Sequence, residues 1–395
     1  MDPARCEPQH VRGDHIDRNA SNFLGTHATA NGIVTKMKQV RVFILGAGCS
    51  VNCGYSLGVG LGNQLHEFKQ KLPKGYTRIR QRVSDTISLL ETLPAIKTLD
   101  QLAKHLEDEL AAKKRCETDT DDRILNAKIA ISAMFVACEE QARAKVLPGY
   151  TRLLDSLFGG EPWQEAVSQS DAHVLSFNYD RVLEMAFLKH FKSFNHQQQG
   201  IYSGSVLNSG FNHRVNGGHD KVELIHGRFC FLKLHGSAGW WVRKAPGNQG
   251  SDECRRYWPA MPSVLDDLQD FEERLKENEG THNTQPWEPL IAFPHEKQRA
   301  VKHETDFLAD RYLEKIELHA ATVLASATEV KIVGYSFAPI DSRHVVINML
   351  SKIPENSKII VWNPDVAAVQ SRLEAYPTMR GRIARGSLVF DSSLF

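Results

Sequence analysis

No C-x-x-C pair occurs in this chain, although it holds seven cysteines, at positions 6, 49, 53, 116, 138, 230 and 254. The odd count and scattered placement argue against a disulfide framework and a four-thiolate zinc cluster, and predict a reducing, cytoplasmic setting with no metal. Excess charge of either sign is lacking as well: 48 Lys and Arg face 47 Asp and Glu, a formal net charge of +1. The total therefore leaves no electrostatic footprint for direct nucleic-acid binding or for a membrane surface. No run of about eighteen apolar residues is present to span a bilayer, and the opening Met1-Asp2-Pro3-Ala4-Arg5-Cys6-Glu7 lacks the apolar core of a secretory signal. A soluble protein is expected. At 395 residues the chain can hold one large α/β domain with an insertion, or two domains.

What the chain does have is an apolar run, a strand expected at about Val40 to Leu45, that breaks into Gly46-Ala47-Gly48-Cys49-Ser50 ahead of a helical pattern from about Leu61. A buried parallel strand opening into such a turn delivers backbone N–H groups to a phosphate. The dinucleotide fingerprint G-x-G-x-x-G is incomplete, because Val51 stands where the third glycine belongs and the next glycine is Gly54. The acidic residue expected about twenty positions on would be Glu67, inside a helical segment instead of at a strand end. An ordinary dehydrogenase is disfavoured, and a tight turn after a buried strand remains the plain alternative.

Residues 1–38 carry almost no periodic apolar pattern and predict a flexible arm; residues 39–395 then form one domain, interrupted by a helical insertion over 75–168. Apolar residues at steps of three and four, from Ile79 through Phe135, mark that insertion. Its apolar surface suits a self-contained bundle on the sheet edge, or a cap over a cleft or subunit contact. Further strands are expected at Ala172–Phe177, Phe229–Leu234, Pro289–Phe293, Val330–Val333, Lys358–Trp362 and Ser387–Phe390. Helices are expected at 63–71, 181–191, 304–326, 342–352 and 365–375. Residues 197–218 read as loop, 244–287 as polar and punctuated, and Trp240-Trp241-Val242 as a hairpin-like return. Alternating strands and helices specify a Rossmann-like, doubly wound parallel sheet, in which ligands sit outside the carboxyl ends of the strands. Four of those ends carry Gly46 to Ser50, Ser176 to Asp180, His235-Gly236-Ser237 and Gly334-Tyr335-Ser336, and a fifth carries Asn363.

In that order, Gly46-Ala47-Gly48-Cys49-Ser50, Asn178-Tyr179-Asp180, Lys233-Leu234-His235-Gly236-Ser237 and Gly334-Tyr335-Ser336 resemble the sirtuin-like domains of bacterial antiphage defence systems. The resemblance runs from about Val40 to Phe390. It implies a Rossmann module that binds NAD as substrate and hydrolyses it to nicotinamide and ADP-ribose, as most studied members do. It implies further a triggered effector that depletes NAD in abortive infection. No sensor domain is recognisable, so triggering would come from homo-oligomer assembly or from a separate activator, such as a ring-forming translocase ATPase. Protein-deacylating sirtuins carry two C-x-x-C pairs around a structural zinc, absent here, and a different loop where Val51 to Ser56 stands. A zinc-free deacylase and a non-enzymatic NAD or ADP-ribose scaffold are the alternatives.

Breaking the nicotinamide–ribose bond releases a neutral leaving group through an oxocarbenium-like state, so the site must fix the ribose and place water. An uncharged amide can do both without trapping the cation, and an imidazole can accept a proton near neutral pH. Asn178 and His235 are the candidates for these catalytic roles. Asp180 reads as a helix cap first and a ribose contact second. Gly46, Ala47, Gly48 and Ser50 would face the pyrophosphate, with the N–H groups of Ala47 to Ser50 donating. Gly334 and Ser336 would meet a phosphate or ribose oxygen, although both serines equally suit caps. Asn363 matches the adenosine-ribose position of the family, and Asn363-Pro364-Asp365 suits an N-cap as well. Cys49 and Cys53 read as packing, and Trp240 and Trp241 as half-buried strand residues.

Overall fold

Strands that are apolar on both faces must be covered from both sides, and the short apolar runs of this chain are met in that way. The computed structural model describes residues 39–53, 55, 60–112, 119–144, 148–158, 171–190, 211–216, 219–224, 229–243, 253–255, 264–280, 286–291, 308–337 and 349–391. The expected arm, the loop over 197–210 and most of the 342–352 helix lie outside them. The first part of the chain gives β1 (Arg41–Leu45), a 3-10 segment (Ala47–Cys53), then α1 (Leu61–Lys71), α2 (Thr77–Thr92), α3 (Leu99–Ala112), α4 (Asp119–Ala144) and α5 (Pro148–Phe158). Next come β2 (Ala172–Ser176), α6 (Val182–His190), β3 (Phe211–Asn216), β4 (His219–Leu224), β5 (Cys230–Lys233), β6 (Gly236–Arg243), β7 (Glu253–Arg255), α7 (Val264–Gly280) and β8 (Glu288–Ile291). The chain closes with α8 (Leu308–Ser326), β9 (Glu329–Val333), β10 (Lys358–Trp362), α9 (Val366–Glu374), α10 (Pro377–Ala384) and β11 (Leu388–Asp391).

Six strands form one sheet in the order β11-β10-β9-β1-β2-β5, and every neighbouring pair is parallel. Counted along the chain, that is the doubly wound order 3-2-1-4-5-6, with the reversal between β1 and β9. The Rossmann-like class expected from the sequence is therefore the class observed. Residues of β1 alternate between two cores: Val42 and Ile44 pack with Ile316, Val323 and Leu324 of α8, while Phe43 and Leu45 pack with Leu154 and Leu157 of α5 and Val182 and Phe187 of α6.

A third core takes in α1 to α4, and it is not closed on itself. Ile79, Val83, Leu102 and Ile131 share it with Trp241 of β6, Phe271 of α7, and Trp287 and Ile291, which precede and end β8. Strand β6 pairs antiparallel with β7 and β8 in a separate three-stranded sheet, so the expected return through Trp240 to Val242 leaves the main sheet instead of folding back on β5. Two further expectations are corrected. Residues 211–216, read as loop, pair antiparallel with β4, and the polar 244–287 stretch contains the 17-residue helix α7. The period in α7 is carried by Leu268, Phe271 and Leu275 among many charges, which hid it.

Helix α7 is tied to the insertion by a carboxylate. Glu272 accepts hydrogen bonds from the backbone N–H groups of Arg78 (2.9 Å) and Ile79 (3.1 Å) and from the Thr77 hydroxyl (3.3 Å). It thus satisfies two of the orphan N–H donors of the first turn of α2, whose own flanking residue, Tyr76, offers no side-chain cap. Glu272→Ala should cost about 2 kcal/mol of stability, the upper range for a lost cap. Exposed Glu273→Ala should stay within about 0.5 kcal/mol. Urea unfolding of both variants measures this, and equal midpoints would sink the tertiary-cap account.

Candidate active site

At the reversal between β1 and β9 the two strand ends run into one another. Gly46 N–H donates to the Val333 carbonyl and Gly48 N–H to the Gly334 carbonyl, both at 2.9 Å. A Cβ on Gly46 would lie 2.6 Å from Tyr335 Cα, one on Gly48 2.8 Å from the Gly334 oxygen, and one on Gly334 2.6 Å from the Cys49 nitrogen. Gly334 also sits at φ +63°, the left-handed region that side chains with a Cβ enter at a cost. All three glycines are thus required by the crossing itself. The crossing also uses donors. Of the four N–H groups from Ala47 to Ser50 expected to meet a pyrophosphate, Gly48's is committed to Gly334 and Cys49's to the Gly46 carbonyl at 3.0 Å. Ala47 is exposed at the head of the 3-10 segment.

Next to this crossing, the β2 end supplies Asn178. Its Nδ2 donates to the Gly46 carbonyl (3.0 Å) and to Ser50 Oγ (3.3 Å), and its own N–H reaches Ser176 Oγ (3.2 Å). The amide is buried and oriented, since a carbonyl can only accept and so fixes which side of the amide faces Gly46. Ser50 is 1% exposed, and Tyr150 of α5 shares a hydrogen bond of 3.0 Å with its hydroxyl. Asp180 accepts from the Val182 N–H at 3.0 Å, the cap at the start of α6 that its sequence context predicted. Burial pushes its carboxyl above the ordinary range, against the opposing pull of the Lys233 ammonium, the Val182 N–H and the Ser50 hydroxyl.

His235 follows β5 and is buried. Its ring packs on both chain neighbours of Asn178: edge-on to Phe177, with centroids 5.1 Å apart, and tilted against Tyr179 at 5.9 Å. The loop is fixed from the β6 side as well, because Ala238 N–H donates to the Tyr179 carbonyl at 2.8 Å. The structure therefore brings Asn178 and His235 onto adjacent strand ends with shared packing. Two buried ion pairs flank them. Arg181 holds Glu139 of α4 in a two-pronged pair at 2.7 and 2.8 Å with both side chains 0% exposed, and Lys233 reaches Glu184 at 3.2 Å and the Asp180 carbonyl. Gly239, at φ +77°, makes room for that guanidinium.

The remaining candidates divide. Ser336 is exposed next to Gly334 at the β9 end. Asn363 is turned to structural use: its Nδ2 donates to the Tyr335 carbonyl (3.0 Å) and its Oδ1 accepts from Asp365 N–H (2.9 Å). Asp365, not Asn363, caps α9 by accepting from Ala368 N–H. Cys49 donates its thiol to the Val333 carbonyl at 3.0 Å, in keeping with packing, while the Cys53 side chain is outside the described ones. Trp240 and Trp241 are fully buried in two different cores, more deeply than their strand pattern predicted.

Sequence reasoning missed Tyr150, Glu139 and Arg181. The two helix residues sit on faces whose apolar period gives no hint that one residue in it is polar for a reason, and Arg181 read only as the residue after a cap. Among the described residues, no group of three or more His, Cys, Asp or Glu is placed to hold a metal ion.

No family model matches the chain, and no curated protein matches it. Solved structures similar to it include a Sir2 variant with a deacetylated p53 peptide and 3'-O-acetyl ADP ribose, at 9% identity and TM-score 0.30, spanning 89% of this chain and 95% of that one. Another is Sir2Tm bound to a propionylated peptide, at 9% identity and TM-score 0.29, spanning 89% and 94%. The strand order given above stands on the chain's own hydrogen-bond ladders.

If close approach at the crossing dictates glycine, a methyl group there must cost more than backbone strain alone. Gly334→Ala is expected to lose about 3 kcal/mol, strain and overpacking together. Gly386→Ala, at φ +69° with open space around it, should lose only about 1 kcal/mol. Paired thermal or urea unfolding reads the difference, and equal losses would remove the crossing as the reason.

Proposed function

We propose that the chain is an NAD glycohydrolase that splits NAD into nicotinamide and ADP-ribose. The observation that carries this reading is the pairing of Asn178 and His235 on adjacent strand ends, packed together beside the reversal point of a 3-2-1-4-5-6 sheet. Ligands of such sheets bind in the crevice outside the carboxyl ends, at that reversal. The order of motifs shared with sirtuin-like defence domains supplies the choice of NAD.

The electrons of the breaking bond stay on the nicotinamide nitrogen, which leaves neutral, so no acid is needed on the leaving group. Water adds to C1' of the ribose and gives up one proton. His235 is assigned as the acceptor of that proton, from water or through a ribose hydroxyl. Asn178, its amide held by Gly46 and Ser50, is assigned to fix the ribose and water without placing a negative charge next to the developing cation. Ala47 and Ser336, both exposed at the crossing, are the groups best disposed toward phosphate oxygens. Unchecked, such an activity would drain the cell of NAD, so we read it as a triggered defence effector, its trigger being self-assembly or a separate activator.

The test incubates purified protein, alone, over a range of concentrations and with candidate activators, with NAD, and quantifies free nicotinamide. Asn178→Ala and His235→Ala should each lower kcat by about 10²-fold or more. Turnover equal to wild type in both variants overturns the assignment. NAD consumption that requires an acyl-peptide, or NAD binding without turnover under every condition, would replace it with a deacylase or a scaffold.

A further inference from the structure

Ser50 sits where three elements meet, and its hydrogen-bond capacity is limited. A serine hydroxyl has one proton to give and two lone pairs to receive with. The Asn178 Nδ2 donates only, so it fills one lone pair of Ser50 Oγ, at 3.3 Å. The buried Asp180 carboxyl, drawn toward the Lys233 ammonium, shares a hydrogen bond with the same hydroxyl. The Tyr150 hydroxyl, buried and 3.0 Å from Ser50 Oγ, is the third partner, and either oxygen of that pair can donate. Three partners match the one proton and two lone pairs of Ser50, so its hydroxyl has no hydrogen-bonding capacity left over.

Tyr150 belongs to α5, on the chain between β1 and β2, and not to any strand end. Its helix packs on the same face of the sheet as α6, with Leu154 and Leu157 against Phe43, Leu45 and Val182. A rigid helix thus carries a hydroxyl to the back of the glycine turn, where it holds the residue that holds Asn178.

We propose that Tyr150 is a positioning residue for the active site, its hydroxyl holding Ser50, and through it the Asn178 amide, in place from behind. Only the kinetic consequence rests on the hydrolase reading; the orientation of the Asn178 amide does not. Without the Tyr150 hydroxyl, the Ser50 hydroxyl can turn, and the Asn178 amide loses a fixed acceptor. The ribose and water would then be held in more than one pose, and such misplacement lowers the rate of the chemical step more than it weakens binding.

The experiment uses the full chain with Tyr150→Phe, which removes one oxygen and keeps the ring. Leu154→Val, a buried change on the same helix, serves as the packing control. Exchange of the Asn178 side-chain amide protons is followed by NMR on isotope-labelled protein, with the resonance identified by its loss in Asn178→Ala. In Tyr150→Phe that exchange should quicken by about 10-fold or more, while Leu154→Val leaves it near wild type. The kcat for NAD hydrolysis should fall by about 10-fold or more in Tyr150→Phe, with KM within about twofold of wild type. Wild-type exchange in Tyr150→Phe, or equal acceleration by Leu154→Val, overturns the proposal, as does a rise in KM with kcat unchanged. If wild type itself releases no nicotinamide, the hydrolase reading fails and the amide exchange alone decides the role of Tyr150.

Discussion

The rest of the site depends on two strand ends passing each other at backbone distance. Where β1 and β9 leave the sheet, N–H groups of one turn bond carbonyls of the other, leaving no room for a single added carbon at Gly46, Gly48 or Gly334. This contact fixes the reversal point of a doubly wound sheet, the place where neighbouring crossovers diverge to opposite faces and a crevice opens. It also sets what that crevice can offer. A turn that uses Gly48 and Cys49 N–H groups to hold itself together has fewer donors for a phosphate than a full glycine-rich loop. Side chains from the next strand ends stand beside it, Asn178 bonded to the Gly46 carbonyl and His235 packed on Phe177 and Tyr179.

Those strands are held in a costly manner. Removing Arg181, Glu139, Lys233 and Glu184 from water is repaid only when each charge is paired and hydrogen-bonded, and the pairs here have the required geometry. Apolar side chains of similar size would pack there with less penalty. What charge pairs add is direction: a two-pronged guanidinium–carboxylate pair fixes α4 against the loop that carries Asn178, and the Lys233 ammonium seats the Asp180 carbonyl. The helices between β1 and β2 thereby gain a rigid connection to the strand ends.

Much of the main sheet was legible in the sequence because its strands read as short apolar runs, fully buried at Phe43-Ile44-Leu45 and partly so at Ile359-Ile360-Val361. The motifs at their ends were legible for the same reason, since polar and glycine residues stand out directly after such runs. Partner choice was less legible. Nothing in Trp240-Trp241-Val242 says that this strand pairs with Glu288–Ile291 instead of Cys230–Lys233, because the apolar pattern is the same for either neighbour. Asn363 shows what the sequence does not display: beside its place at a strand end, its side chain bonds the Tyr335 carbonyl and the Asp365 N–H.

Ser50 marks the sharpest difference between a sequence motif and a folded site. As part of Gly46-Ala47-Gly48-Cys49-Ser50 it looked outward, toward a phosphate. In the fold it looks inward, and its hydroxyl joins Tyr150, Asn178 and Asp180 over sequence separations of 100, 128 and 130 residues. Local spacing cannot encode such a set, because each member comes from a different element and is brought there by the packing of apolar faces that carry no chemistry of their own. A turn that offers Asn178 both the Gly46 carbonyl and the Ser50 hydroxyl holds that amide by backbone and side chain together. The glycines and the serine of one short motif therefore have separate physical roles: the glycines let the strand ends cross, and the serine transmits that fixed geometry to the side chain assigned to the ribose.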